Sequence, residues 1–185
     1  METALKQASY QDIIDLPDNV VGEILDGQLY ASPRPGPKHS VATSSLGMDL
    51  SSPFQFGRNG GPGGWWILDE PELHIGEQVI VPDIAGWRKD RMPTIPGESF
   101  FTVEPDWVCE VLSPSTMRID RTVKMPLYAR VGVAHIWLVD PDPRILEAFE
   151  LKDERWVLLE TLSEDEMVKV APFDAIDFSL SDLWA

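Results

Sequence analysis

The sequence predicts a mixed α/β (α+β) protein with a central mixed β-sheet flanked by helices. Three observations lead there. The segments QVIVPDIAGW, PDWVCEVL and HIWLVD have the near-continuous apolar character and length of buried strands. Ala42, Leu46 and Leu50 recur every four residues, as on one face of a helix. The two kinds of signal alternate along the chain: a helix, a hairpin, a helix, several strands, a helix, then more strands, which is the order of a single layered domain over residues 1–185.

A short helix is expected from Ser9 to Leu16, with Ser9 as its N-cap and Pro17-Asp18 ending it. VVGEILDGQLYAS follows. Asp26-Gly27 between two apolar-rich runs is a strong hairpin signal, so Glu23 falls on the hairpin's first strand. The helical spacing over Pro37 to Phe54 begins near His39, with Gly47 weakening it. GRNGGPGG, from Gly57 to Gly64, is a loop. WWIL, ELHI and QVIVPDIAGW are then three strands, and Asp106 to Leu112 a fourth, ending at a Ser-Pro turn. A helix from Thr122 to Arg130 is closed by Gly132, and Pro126 is tolerated because it lies near the helix start. HIWLVD is the next strand. ILEAFEL, RWVLLETL and MVKVAP supply two or three antiparallel strands at the C-terminus.

Composition narrows the functional classes. An apolar fraction of 43% over 185 residues supports a real core and excludes wholesale disorder. No apolar run is long enough to span a bilayer, and METALKQASYQDIIDLPDN lacks the basic start and apolar stretch of a secretory signal, so a cytoplasmic location with no membrane partner is expected. Cys109 is the only cysteine, and His39, His74 and His135 match no zinc spacing. The net charge of −16 runs against phosphate binding. It is unevenly spread. From Asp140 onward there are 13 acids against 4 bases, whereas Arg88, Lys89 and Arg91, then Arg118, Arg121, Lys124 and Arg130, bunch in the middle of the chain and leave room for a basic rim.

The chemistry-bearing pattern is a set of carboxylates interrupting apolar strands. Asp83 follows Pro82 inside VIVPDIAGW, and Glu110 lies inside WVCEVL. A charge on a buried strand costs several kcal/mol unless it is paired or bound to metal. A divalent cation can hold two such carboxylates together, and hard oxygen ligands favour Mg²⁺ or Mn²⁺ over zinc. Glu23 stands ready to complete a metal shell or orient a water. Lys124 is the accompanying cation, in the first turn of the helix after Glu110. Asp120, four residues earlier, can cap that helix and steer Lys124. His39 either faces substrate from a helix start or is an ordinary surface or core histidine. Trp65, Trp66, Trp87, Trp107 and Trp137 are core by their strand context. Each carboxylate alone is equally an edge residue or half of a structural ion pair. Together with a lysine, the set suits metal-assisted phosphodiester hydrolysis.

The ordered pieces GEILDGQLYASPRPGPKH, VPDIAGW, PDWVCEVLSPST and DRTVKMPLYARVGVAHIWLVDP, spanning roughly Val21 to Pro141, resemble the Uma-two family of the PD-(D/E)XK, restriction endonuclease-like superfamily. The resemblance implies a restriction endonuclease-like core and a nuclease site in which Glu23 is the acid of the N-terminal hairpin, Asp83 the Asp of the PD motif and Glu110 the acid of the second half-motif. The lysine usual two residues after that acid is absent, since Leu112 occupies the place. The resemblance implies that Lys124 replaces it from the following helix. It further implies DNA as partner and a homodimer, for which exposed strands of the tail are the expected interface. Two other readings stay open: a catalytically inactive nuclease-fold module for binding or assembly, and a hydrolase using Asp83 and Glu110 as general acid and base, in which Lys124 would have no task.

Overall fold

The computed structural model describes residues 7–184, so Met1–Lys6, the start of the segment read for a secretory signal, lie outside the described residues. Helix α1 (Tyr10–Ile14) begins at Ser9, whose side chain and backbone both bond Asp12. Strands β1 (Val20–Leu25) and β2 (Gln28–Pro33) form the expected hairpin. Leu25 faces Gln28, and both turn residues take positive φ, Asp26 at 50° and Gly27 at 75°. That is the backbone twist a two-residue hairpin needs.

Helix α2 (Pro37–Leu50) starts two residues before His39 and runs into a π-helical turn, Ser51–Gln55. Five strands follow: β3 (Trp65–Asp69), β4 (Leu73–Ile75), β5 (Gln78–Ile80), β6 (Ile84–Arg88) and β7 (Trp107–Val111). The single strand expected over QVIVPDIAGW is therefore two, in different sheets. Pro82 has no N–H for a ladder, so the chain leaves one sheet at Ile80 and enters the other at Ile84. Val81 to Asp83 is the crossing.

Past β7, a helical rod runs through α3 (Met117–Ile119), a π turn (Asp120–Lys124) and α4 (Met125–Val131), closing at Gly132 with φ 84°. It begins before the expected Thr122, so Lys124 is in the rod's interior, not its first turn. Pro126 cannot return an N–H to the preceding turn, and the rod is widened just before it. Pro53 lies in the other π turn. Strands β8 (His135–Asp140), β9 (Ile145–Lys152) and β10 (Arg155–Ser163) follow. Then β11 (Met167–Val168) pairs with β12 (Phe178–Ser179), a strand the sequence pattern did not reveal.

The main sheet has the order β10-β9-β8-β7-β6-β3, and only β7 and β8 run parallel. A second antiparallel sheet has the order β2-β1-β5-β4. The main sheet is covered on both faces. On one, α2 (Ala42, Leu46, Leu50) and the C-terminal segment (Phe173, Leu180, Leu183) pack against Trp107 and Trp137. On the other, Leu127 and Tyr128 of α4 join Leu25, Leu73 and Ile80 of the second sheet against Val108 and Trp87. Trp87, Trp107 and Trp137 are fully buried and Trp65 nearly so. Trp66 is half-buried, its Nε1–H donated to the Met92 carbonyl at 2.9 Å.

Candidate active site

The crossing from Val81 to Asp83 brings the site together. Ile84 pairs with Cys109, so the antiparallel register continued by one residue sets Asp83 opposite Glu110. The Asp83 side chain finishes the ladder itself, Oδ2 accepting the Val111 N–H at 2.7 Å. Val81 cannot pair in either sheet, and both of its backbone groups are taken by site side chains. Its N–H goes to Glu23 Oε1 at 2.8 Å, and its carbonyl accepts from Lys124 Nζ at 3.2 Å. A buried backbone without ladder partners has to be satisfied somehow, and here that requirement fastens Glu23 and Lys124 to the strand change.

Lys124 Nζ lies 2.8 Å from Glu110 Oε1 and 3.1 Å from Glu23 Oε1, with Asp120 Oδ1 at 4.0 Å. Lys124, Glu110, Glu23 and Asp120 are all buried, at 3, 2, 7 and 4% exposure, and Lys124 is the one buried cation among the described residues. Tyr128, one helical turn after Lys124, donates its hydroxyl to the same Glu110 oxygen at 2.5 Å. On the other side, His39 Nε2 of α2 lies 3.1 Å from Asp83 Oδ1. Glu23, His39, Asp83, Glu110, Asp120 and Lys124 all line one cleft of about 290 Å³, which Arg34, Ser113 and Ser115 also border.

The electrostatics follow from burying more carboxylate than cation. Burial pushes Glu110 well above the ordinary carboxylate range, with the charges of Asp120, Asp83 and Glu23 adding and Lys124 opposing. Burial likewise pushes Asp120 up to about 6, against the pull of Lys124 and the Thr116 hydroxyl. Burial draws Lys124 down, but Glu110 and Glu23 outweigh it and hold its ammonium well above the usual lysine value. At His39, burial lowers the imidazole pKa, and the hydrogen bond and charge of Asp83 more than reverse that. These raised values share a sign. The folded chain holds protons that the unfolded chain releases, and the part contributed by Asp120 is complete at about pH 4 and lost as pH rises through about 6. The melting temperature is therefore expected to rise as pH is lowered from 8 to about 5.5, with a shallower rise in Asp120→Asn. Scanning calorimetry at several pH values checks this, and a flat or inverted slope in the wild type contradicts it.

All the residues the sequence singled out thus meet in one cleft, with two corrections. Asp120 does not cap its helix. Thr116 holds the N-cap position, and Asp120 lies inside the rod, one turn from Lys124. Of the middle-chain bases, Lys124 alone borders the cleft. Arg88 pairs with Asp90, Arg91 with Asp106, Arg121 with Glu147 and Arg130 with Asp26. Lys89 donates to the Gln55 carbonyl and lies over the Trp66 ring. Two residues were missed. Tyr128 was legible only as the position four after Lys124. Glu70 lines the cleft because the β3–β6 register sets it opposite Asp83, whose carbonyl accepts the Glu70 N–H at 3.0 Å.

Whether a metal fits can be judged from the donors. Among the described residues no group of three or more His, Cys, Asp or Glu side chains is placed to enclose an ion. Asp83 and Glu110 face each other across a strand pair, with surplus negative charge around them. Mg²⁺ keeps several waters and is commonly held by one or two carboxylates. The donor set therefore suits a hydrated hard cation and does not suit a closed zinc cage.

This architecture is the restriction endonuclease-like fold. A solved structure described as a "putative nuclease belonging to DUF820", from Anabaena variabilis, superposes with a TM-score of 0.74 over 95% of this chain and 97% of its own, at 24% identity, a likeness of fold. The chain belongs to the Uma2 family, described as "Putative restriction endonuclease", which it matches over residues 9–181. No curated protein matches it. Among the described residues no helix is long and apolar enough to cross a membrane.

Proposed function

We propose that this cleft hydrolyses phosphodiester bonds of DNA as a Mg²⁺- or Mn²⁺-dependent endonuclease, with Asp83 and Glu110 as the residues that would hold the cation. The observation that carries the reading is the placement of Asp83 opposite Glu110 with Lys124 wedged between Glu110 and Glu23, all bordering one cleft. A bound divalent cation supplies Lewis acidity toward a phosphate oxygen and makes water a better nucleophile. The chain's own residues do the rest. Asp83 is held by the Val111 N–H and His39, which fix its carboxylate at the cleft wall. Glu23 is anchored by the Val81 N–H and orients water entering beside Lys124. The Lys124 ammonium offsets the buried carboxylates and the charge that gathers on the phosphate. Water oxygen bonds to phosphorus, the phosphorus–oxygen ester bond breaks, and the leaving oxygen takes up a proton.

A homodimer would let two such clefts reach two strands. The outer strand β10, with Val157 and Leu158 exposed, supports that arrangement. A second reading, an inactive nuclease-fold binding module, is favoured by the net charge of −16 and by the ion-paired bases. Incubating wild-type protein with supercoiled, linear and single-stranded DNA at low salt, in Mg²⁺, Mn²⁺ or EDTA, separates the two. The enzyme nicks in metal and not in EDTA. Retention of DNA with every strand intact in both metals would leave the binding module.

A further inference from the structure

Tyr128 is fully buried, and among the described residues its hydroxyl has one hydrogen-bond partner, Glu110 Oε1 at 2.5 Å. A buried phenol needs some partner, but any nearby carbonyl would serve. This one takes the oxygen that Lys124 also approaches at 2.8 Å. The coincidence follows from the helix. Lys124 and Tyr128 are four residues apart across the junction of the π turn and α4, so both side chains project from one face toward β7. Oε1 is thereby contacted by a phenol proton and an ammonium, while no hydrogen bond from the described residues reaches Oε2. Glu110 itself borders the cleft.

We infer that Tyr128 is a positioning residue: with Lys124 it occupies Oε1 of Glu110 and fixes the carboxylate so that Oε2 is the oxygen presented to a divalent cation in the cleft. This rests on the metal-site reading of Asp83 and Glu110. A free carboxylate can rotate and offer either oxygen or both. One clamped by two donors offers one, in a fixed direction. Outer partners that orient a ligand are worth about 10–100-fold in metal affinity, which sets the size of the expected effect. If Tyr128 merely filled the core, its hydroxyl would matter to stability and not to the cation.

The test is Mn²⁺ binding to the full chain, followed by calorimetry and by the electron-spin resonance signal of free Mn²⁺, in wild type, Tyr128→Phe and Leu127→Ala. Leu127 lies beside Tyr128 in the same apolar cluster, 2% exposed, and is a packing control. Wild type and Leu127→Ala are expected to bind alike, with Tyr128→Phe weaker by about 10–100-fold. Equal affinity in wild type and Tyr128→Phe overturns the positioning role and leaves the metal site standing. No Mn²⁺ binding by wild type overturns the metal site and this inference with it. A second measurement does not depend on a variant folding. The chain has three tyrosines, so tyrosine labelled at the phenolic carbon gives three resonances. Titration with Mg²⁺ is expected to shift that of Tyr128 most. If it stays fixed while Mg²⁺ binds, the hydroxyl does not report on a metal-bearing Glu110, and the inference fails.

Discussion

Replacing Lys124 by Met is expected to lower the melting temperature by roughly 6–20 °C at pH 7.5, the largest stability effect anticipated for any single side chain here. Lys124 is the sole buried cation among the described residues, and Glu110, Glu23 and Asp120 all lie within 4.0 Å of its nitrogen. Methionine keeps most of the volume, so the loss is electrostatic. Removing one partner of a buried ion pair leaves the others uncompensated and costs about 3–5 kcal/mol, far more than the net worth of the intact pair. The loss also frees the Val81 carbonyl at the strand change. Two signatures separate this from ordinary packing damage. The deficit shrinks at pH 5, where the raised pKa values let Glu110 and Asp120 take up protons. It also shrinks when Glu110→Gln is added, because one of the stranded charges is then gone. A fall of under 2 °C in the single variant would show that the cluster does not depend on its lysine.

Glu110→Gln alone is expected to give the largest loss of function with the smallest loss of fold. The amide keeps an acceptor for the Tyr128 hydroxyl, and Lys124 keeps Glu23, so the cluster remains neutralised and melting shifts by a few degrees at most, in either direction. The negative charge that would face a cation at the cleft is lost. Metal-dependent cleavage is expected to fall by about 10²–10³-fold or more, the scale of removing one preorganised electrostatic group. Rates of plasmid nicking at matched protein and saturating Mg²⁺ measure it. Activity within threefold of wild type would remove Glu110 from the reacting centre.

The sequence made parts of this legible and hid others for identifiable reasons. Asp26-Gly27 announced the β1–β2 hairpin because the turn depends on two adjacent residues alone. Asp83 and Glu110 stood out because a charge inside an apolar strand demands an explanation. What failed was what depends on distant neighbours. Pro82 divides an apolar run between two sheets, and only the partners of Ile80 and Ile84 reveal that the halves belong apart. The rod containing Lys124 starts earlier than its apolar spacing suggests because the π turn disturbs the 3.6-residue period. The two residues of β12 are too few to carry any pattern, and pairing with β11 is what makes them a strand. Nothing in the spacing around Tyr128 sets it apart, and it is the hydroxyl donated to Glu110 that distinguishes it. The basic bunches left room for a rim, and a linear reading cannot show that Asp106, Glu147 and Asp26 come to meet Arg91, Arg121 and Arg130.

Nicking of supercoiled plasmid is the sharpest probe of the Asp83–Glu110 pair as a phosphodiester-cleaving site. Wild type and Asp83→Ala, purified side by side, are incubated at low salt with Mg²⁺ or Mn²⁺ and with EDTA. Asp83→Ala loses the hydrogen bond to Val111 and the contact with His39, so its folding is checked by melting. Wild type is expected to nick only with the metal, and a folded Asp83→Ala protein is expected not to nick at all. Nicking that persists in Asp83→Ala, or none by wild type in either metal, would contradict that reading of the pair.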